Sequence, residues 1–391
     1  MADQRINAAE PTEVSQQLNA LLKTCVGLLA SDIHLEPGPE SYRIRIRIDG
    51  RMQTLTEGDM HRHGQLMNRL KILCGMDITE KRRPQDGGFS QDIDGRAVDF
   101  RVSVVPCADG EKAAIRILDN QSIDLNRESL GIDASNWEQL TRLIRVRHGL
   151  LIFTGPTGSG KTSTMYTLLK LLNEEHRHII TLEDPIEYRL PGINQIQVNE
   201  RIDLDFASGL RAILRQDPEV ILVGEIRDRQ TAEIAVRAAI TGHLVLTTLH
   251  TNDSHGAVTR LLDMGIESYL IAASVTGVFS QRLVRKLCRC KQKKVPAQQE
   301  TLHYEKAGLP VPASLYAPTG CSDCHGGYLG RTAVTEVLPL TESLRTGILL
   351  REDASRLKQR TEDFTRLLED GLKKAATGET TLEEVLDAVH E

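Results

Sequence analysis

One segment of the sequence has the residue types and spacing of a phosphate-binding loop. Residues 155–162 fit the pattern GxxxxGK[ST], and an apolar run comes before them while helix-compatible residues follow. Glycines let backbone amides turn toward a phosphate, and the start of a helix adds partial positive charge. We expect Lys161 to reach the terminal phosphates and the Thr162 hydroxyl to bind Mg²⁺. The predicted nucleotide contacts are Gly155, Pro156, Thr157, Gly158, Ser159, Gly160, Lys161 and Thr162.

Carboxylates follow a second apolar run. Residues 179–182 lead into Glu183, Asp184 and Glu187, and Pro185 directs the chain out of the sheet. Acidic groups in this position can hold Mg²⁺ through water or take a proton from an attacking water. The alternative is a group of solvated loop carboxylates.

A third apolar run, 220–223, ends in Gly224-Glu225. This is the place of a Walker B carboxylate, although the common form has Asp before Glu and Gly224 replaces that Asp. Glu225 therefore acts on metal or water alone, or shares the work with Glu183 and Glu187. The sequence leaves that division open.

A fourth apolar run begins after His243 and ends at His250. His250 follows the strand at the edge where the phosphate loop is predicted, so it is the candidate sensor of the γ-phosphate. The alternative is a structural histidine with satisfied hydrogen bonds.

Four of the seven cysteines crowd into 37 residues and indicate a zinc site rather than disulfides: Cys288, Cys290, Cys321 and Cys324. In the second pair, CxxC spacing lets two thiolates bind one tetrahedral ion. The first pair is CxC, a spacing that can aim one thiolate badly. His325 is a substitute ligand, and a module that folds without metal is the alternative.

The apolar runs predict the architecture that positions these residues. Those near 150, 180, 220 and 245 are separated by helix-length stretches, which is typical of a parallel α/β sheet with its chemistry at the carboxyl ends of the strands. Before them, residues 42–48 alternate Ile with Arg43, Arg45 and Arg47, and Asp49-Gly50 supplies a hairpin turn. We therefore predict a small α+β domain over 1–122 and a nucleotide-binding α/β domain over 123–391.

Composition limits the partners. The 48 Lys and Arg against 54 Asp and Glu give a net charge of −6, which disfavours stable nucleic-acid binding. The first residues lack the apolar core of a signal peptide and no segment is apolar enough to span a membrane, so we expect a cytoplasmic protein. Seven cations over 282–294 form a patch suited to anionic lipid or to an acidic protein loop, or simply a solvated face.

Four segments in this order closely resemble the Walker A, Asp, Walker B and His boxes of the ATPases of type II secretion and type IV pili. These are GPTGSGKT (155–162), ITLEDPIEY (180–188), DPEVILVGEIRD (217–228) and TGHLVLTTLHTND (241–253). Further similar segments span nearly the whole chain: SDIHLEP (31–37), RIRIDG (45–50), MDITEKRRPQDGG (76–88), GEKAAIRIL (110–118), QRLVRKLC (281–288), CSDCHGGYLGR (321–331) and TTLEEVL (380–386).

The resemblance implies a RecA-like ATPase domain with a zinc module at 286–333 and a helical part at 334–391. It implies a homo-hexamer at the inner membrane that hydrolyses ATP to move a platform protein and so assembles a pilus or pseudopilus. A chain that begins about 30 residues before SDIHLEP is expected to leave little room for the further N-terminal domain that in this family docks onto a membrane-anchored recruiting protein.

The resemblance also implies that Arg101 and Arg116 reach the phosphates of a bound nucleotide, whereas alternation in a strand allows a plain solvated face. The cysteine module favours assembly over retraction, because retraction ATPases of type IV pili generally lack it. The alternatives are a pilus retraction ATPase, a DNA-translocating or conjugation ATPase, and a nucleotide-binding scaffold that does not hydrolyse ATP.

Overall fold

The computed structural model describes residues 13–119, 125–361 and 364–390. The chain divides into two compact units, one within 1–124 and the other within 125–391. The domain boundary predicted near residue 122 lies outside the described residues. Within the described ranges, no helix combines the length and the apolar character needed to cross a membrane.

The N-terminal unit packs two helices against an antiparallel sheet. Across this sheet the strand order is β3-β2-β1-β6-β5-β4. The elements are α1 (Glu13–Gly27), β1 (Asp32–Glu36), β2 (Ser41–Ile48), β3 (Arg51–Asp59), α2 (Met60–Leu73), β4 (Gln85–Ile93), β5 (Arg96–Cys107) and β6 (Gly110–Leu118).

Strand β2 shows why the sheet has one apolar face. Ile44, Ile46 and Ile48 are buried in the core, and the arginines between them lie on the opposite face. The predicted hairpin turn at Asp49-Gly50 is confirmed, with φ values of 48° and 85° that suit the twist of a two-residue turn.

Glu36 organises the charged face of this sheet. Its carboxylate lies 2.9 Å from Arg43 Nε, 2.7 Å from Arg45 Nη2 and 3.1 Å from Lys112 Nζ. Burial by itself raises the pKa of Glu36, but the hydrogen bonds from Arg45, Lys112 and Arg43 outweigh it and lower the pKa to about 2. The carboxylate therefore joins three strands as a charged group.

Replacing Glu36 with Gln should destabilise the N-terminal unit at pH 7 by about 2–3 kcal/mol, because three cations lose their shared anion. Since folding lowers the Glu36 pKa, this stabilisation is present at neutral pH and is lost in the wild type as the pH falls through about 4 and below. Amide hydrogen exchange in β1 and β2 measures the local opening free energy. Glu57→Gln, an exposed change in β3, is the control, and equal protection in both variants would contradict the prediction.

The C-terminal unit is built on a mostly parallel sheet. The strand order is β15-β12-β7-β11-β10-β8-β9. Its strands are β7 (Gly149–Thr154), β8 (Ile179–Glu183), β9 (Asn194–Gln197), β10 (Val220–Val223), β11 (Leu244–Leu249), β12 (Val275–Leu287), β13 (Gln292–Lys294), β14 (Leu315–Ala317) and β15 (Tyr328–Pro339), of which β13 and β14 form a separate pair. Its helices are α3 (Arg127–Leu130), α4 (Ala134–Ile144), α5 (Lys161–Leu172), α6 (Phe206–Ile213), α7 (Arg229–Ile240), α8 (Ser254–Asp263), α9 (Ser268–Ser274), α10 (Gln298–Lys306), α11 (Glu342–Leu349), α12 (Ala354–Gln359), α13 (Leu367–Thr377) and α14 (Leu382–His390), with a 3-10 turn at Glu200–Ile202.

The four predicted apolar runs are confirmed as β7, β8, β10 and β11. Every residue of these strands is buried, since helices cover both faces of the sheet. In the parallel register Thr154 lies opposite Leu249, and Val223 lies opposite Thr247 and Leu182. The loops that follow these strands therefore meet at one edge.

The part of the chain at 334–391, which was expected to be helical, begins as a strand. Strand β15 continues to Pro339 because it pairs antiparallel with β12 along most of its length. Within it, the buried Glu336 accepts hydrogen bonds from the main-chain N–H groups of Ser254 (2.8 Å) and Leu367 (3.0 Å). This carboxylate attaches the C-terminal helices to α8.

Candidate nucleotide-binding site

The phosphate loop connects β7 to α5 and depends on glycine. Gly155, Gly158 and Gly160 have φ values of 144°, 79° and 86°, which side chains disfavour. A Cβ on Gly155 would lie 2.4 Å from the Gln281 carbonyl oxygen. The neighbouring strand β12 therefore leaves no room for a side chain where the loop begins.

Lys161 lies at the first turn of α5 and is only 9% exposed. Its Nζ donates to the carbonyl oxygens of Gly155 (2.7 Å) and Pro156 (2.9 Å), so its charge is held within the loop. Burial, with a smaller contribution from Arg282, lowers the pKa of Lys161 to about 8. Thr162 is the half-buried next residue of the helix.

The loop also contains a buried hydroxyl. Ser159 is 3% exposed, and its Oγ has no hydrogen-bond partner among the described residues. A buried polar group without a partner costs free energy, which a phosphate oxygen would recover. The loop, the cation and this hydroxyl together fit an anionic ligand.

Glu225 and His250 meet at the carboxyl edge of the sheet. Glu225 Oε2 lies 3.6 Å from His250 Nε2, and its Oε1 lies 2.5 Å from Arg227 Nη2. Asp184 Oδ2 is 4.0 Å from the same Arg227 nitrogen. His250 is 55% exposed while the Glu225 side chain is 17% exposed, so this group borders solvent beside the loop.

Glu183 occupies a different environment. It is 4% exposed, accepts hydrogen bonds from Thr181 Oγ1 (2.6 Å) and Gln195 Nε2 (3.2 Å), and also binds the Tyr166 hydroxyl. Both carboxylate oxygens are thus used inside the protein. Glu187, four residues further on, is half-buried.

Arg101 and Arg116 belong to the N-terminal unit. They face each other across β5 and β6, in a register that places them side by side on the sheet. Arg116 Nε lies 3.3 Å from Asp32 Oδ1. Asp32 thus supplies negative charge beside Arg116.

The four clustered cysteines converge although their spacing is irregular. Their Sγ atoms all lie within 4.8 Å of one another. Cys288 is 3.8 Å from Cys321, Cys290 is 3.8 Å from Cys324, and Cys321 is 3.6 Å from Cys324. A tetrahedron of thiolates about 2.3 Å from zinc has edges near 3.8 Å. The CxC pair is therefore aimed as well as the CxxC pair, and His325 does not belong to the group.

Two arginines near the phosphate loop were not singled out by sequence reasoning. Arg227 follows Glu225 by two positions, a spacing that could have indicated a shared face. Arg282 was assigned to an exposed cationic patch, and this is wrong because the residue is 3% exposed beside Gly155. The patch is also interrupted at Arg285, which pairs with Glu384 (2.6 Å) and stacks 3.8 Å above the centre of the Tyr328 ring.

A parallel sheet that presents a glycine-rich loop, a lysine and a carboxylate at one edge defines a P-loop protein with a RecA-like domain. Solved structures share this fold. The Legionella pneumophila ATPase DotB aligns with a TM-score of 0.70 over 95% of this chain and 94% of its own, at 22% identity. The pilus retraction motor PilT, with bound ADP, aligns with a TM-score of 0.61 over 94% and 96%, at 28% identity. The predicted fold class is confirmed.

The chain belongs to the family described as Type II/IV secretion system protein, which matches residues 7–387. The putative type II secretion system protein E of Escherichia coli (strain K12) is 44% identical over 97% of this chain and 78% of its own length. The type II secretion system ATPase E of Vibrio cholerae serotype O1 is 44% identical over 99% and 77%. The family predicted from the sequence boxes is confirmed.

Proposed function

We propose that the protein is an ATPase motor that hydrolyses ATP to ADP and phosphate and thereby powers a type II secretion system or the assembly of a type IV pilus. The observation that carries this proposal is the convergence of the phosphate loop, Lys161, Glu225 and His250 at one edge of the sheet. Relatives at 44% identity that are named type II secretion proteins support the secretion branch over retraction.

In this proposal each residue has a separate task. Lys161 leaves the loop carbonyls to bind the β- and γ-phosphates, and loop amides with the Ser159 hydroxyl bind the remaining oxygens. Glu225 accepts a proton from the water that attacks the γ-phosphorus as the bond to the β-phosphate oxygen breaks. The Thr162 hydroxyl would hold Mg²⁺, which supplies charge neutralisation of the phosphates when bound.

The environments of the acidic residues support a division of labour among them. Glu225 borders solvent and has His250 as a neighbour, so it is the candidate base and His250 the candidate γ-phosphate sensor. Glu183 positions β8 and α5 through Thr181 and Tyr166 rather than acting on water. Glu187 stays a candidate for holding water at the metal.

Replacing Lys161 with Ala should weaken ATP binding and abolish most hydrolysis, because the phosphate-contacting cation is removed. Glu225→Gln keeps the side-chain shape and should bind ATP while lowering turnover by about 10²-fold or more. Calorimetry measures binding and phosphate release measures turnover. Glu233→Gln, on the outer face of α7, should change either quantity less than about twofold. Wild-type turnover by Glu225→Gln would overturn its assignment as the base.

The cysteine cluster is proposed to bind one structural zinc ion through Cys288, Cys290, Cys321 and Cys324. The sulfur separations close to a tetrahedral edge support it. The ion would join the loop after β12 to the segment before β15. A four-thiolate site with no open position is structural rather than catalytic.

Purified protein should therefore contain about one zinc per chain, and removing the ion should unfold the module locally. Elemental analysis gives the stoichiometry, and hydrogen exchange over 288–330 measures local folding with and without a chelator. Cys290→Ser should lower zinc content, whereas Cys107→Ser, at an exposed cysteine outside the cluster, should not. Folded protein with well under half an equivalent of zinc would refute the assignment.

Family membership supports the larger setting of this proposal. The motor is proposed to act as a homo-hexamer in the cytoplasm at the inner membrane, on a platform protein, with a membrane-anchored protein recruiting it. In such a ring Arg101 and Arg116 would approach the nucleotide phosphates in some subunit states and withdraw in others, which would couple hydrolysis to domain motion. The net charge of −6 argues against a DNA-translocating motor.

Specific activity should rise with protein concentration as rings form, since these arginines act only within an assembled ring. Arg101→Ala with Arg116→Ala should reduce kcat by about 10²-fold while ATP affinity changes little, as expected for a contact made mainly in the transition state. Turnover is measured beside particle mass from light scattering, with Arg51→Ala at the β2–β3 turn as control. A fully active monomer, or unchanged turnover in the double variant, would show that the two arginines are surface residues.

A further inference from the structure

The loop after β11 carries His250, and its first part is attached to the strand that leads into the phosphate loop. Thr154 is the buried last residue of β7. Its Oγ1 donates a hydrogen bond to the Thr251 carbonyl oxygen (2.8 Å) and accepts one from the Thr251 main-chain N–H (3.2 Å). His250 directly precedes Thr251, and its Nε2 lies 3.6 Å from Glu225 Oε2. The position of the candidate γ-phosphate sensor therefore depends on how this loop is held.

The loop ends at Asp253, the N-cap of α8. Its Oδ1 accepts a hydrogen bond from the Gly256 main-chain N–H (2.7 Å), which caps the first turn of the helix. Its Oδ2 lies 2.7 Å from Lys358 Nζ on α12. Burial raises the pKa of Asp253, but the hydrogen bonds from Lys358 and from the Gly256 N–H outweigh it and hold the pKa below its ordinary value. Asp253 therefore joins the start of α8 to α12 as a charged group.

A second contact joins α8 to the residues just after α12. His255 is 4% exposed, and its Nε2 forms a hydrogen bond of 2.9 Å with Thr361 Oγ1. The ring also packs edge-on against Phe364, with 5.6 Å between the ring centres. Burial lowers the pKa of His255 to about 4, so the ring is neutral at pH 7. The first turn of α8 is thus held by an ion pair nearer the surface and by a hydrogen bond in the interior.

Helix α12 is a firm support for these contacts. Its Leu357, beside Lys358, is 1% exposed and belongs to the hydrophobic core. Asp253 is only three positions after His250, so a shift of α12 that moved Asp253 would also move the histidine. The contacts therefore place the sensor loop between two supports, which are Thr154 on one side and α12 on the other.

We propose that Lys358 is a positioning residue for the His250 loop, and that α12 is coupled to the candidate γ-phosphate sensor through the Lys358–Asp253 and Thr361–His255 contacts. This inference rests on the proposed function and adds a way for the C-terminal helices to influence hydrolysis. Coupling between two sites is reciprocal. A γ-phosphate that fixes His250 should therefore also fix α12, and a change at α12 should alter turnover.

The first test measures turnover and nucleotide affinity in the full-length protein. Lys358→Met should lower kcat about fivefold because the sensor is held less precisely, while the affinity for ADP, which has no γ-phosphate, should change less than about twofold. Lys358→Arg keeps the charge and should retain at least about half of the wild-type kcat. The matched control is Arg356→Met on the same helix, where the guanidinium lies 4.0 Å from Asp353, and it should behave as the wild type does.

The second test measures amide hydrogen exchange over 354–361 with saturating ADP and with a saturating non-hydrolysable ATP analogue. In the wild type the analogue should slow exchange about threefold relative to ADP, because only the analogue carries a γ-phosphate. In a double variant, Lys358→Met with Thr361→Val, this difference should disappear although both nucleotides still bind.

A wild-type kcat in Lys358→Met would overturn the proposal, and so would equal exchange of α12 with the two nucleotides in the wild type. Loss of ADP and ATP affinity by the same factor, together with a lower unfolding temperature, would also overturn it, because that pattern marks a contact needed only for folding. A wild type that binds both nucleotides without hydrolysing ATP would overturn the proposed ATPase function alone, and the exchange comparison would then test the coupling by itself.

Discussion

The parallel pairing of β7 between β11 and β12 is the constraint on which the rest of the C-terminal unit depends. This pairing brings Thr154, Leu249 and Ser280 level with one another, so β7 and β11 end at the same edge while β12 continues past it to Leu287. The phosphate loop with Lys161 therefore lies beside the loop with His250, and Arg282 of β12 adjoins both. The burial of both sheet faces keeps this register, since a slip would move buried apolar side chains out of the core.

Buried charge is used differently in the two units. In the N-terminal unit Glu36 is surrounded by its own cations, so the charged face is internally balanced there and stabilises the sheet. In the C-terminal unit the buried Lys161 belongs to the same glycine-rich loop as the Ser159 hydroxyl, which has no hydrogen-bond partner among the described residues. The first arrangement favours folding, while the second favours binding of an anion, because its stabilisation depends on a ligand.

The sites differ in how strongly local sequence predicts them. The phosphate loop can be predicted from the sequence because phosphate binding requires glycine, lysine and a hydroxyl within eight consecutive residues. In the structure these residues form the connection between β7 and α5. The roles of the carboxylates can be predicted from the sequence only in part. Glu183 and Glu225 both follow apolar strands, yet the first is enclosed by Tyr166 and Thr181 while the second borders solvent, and that difference arises from side chains distant in sequence.

The sequence by itself determined the four parallel strands, the loop between β7 and α5, the β2–β3 hairpin and the family, because periodicity, glycine spacing and ordered motifs are local properties of the chain. Tertiary structure decided the rest. The irregular Cys288–Cys290 pair meets Cys321 and Cys324 only because the ends of β12 and β15 lie together. In the sequence Arg282 is one of seven cations over 282–294, and only the placement of β12 beside β7 buries it at Gly155, since which strands are neighbours depends on packing between distant segments.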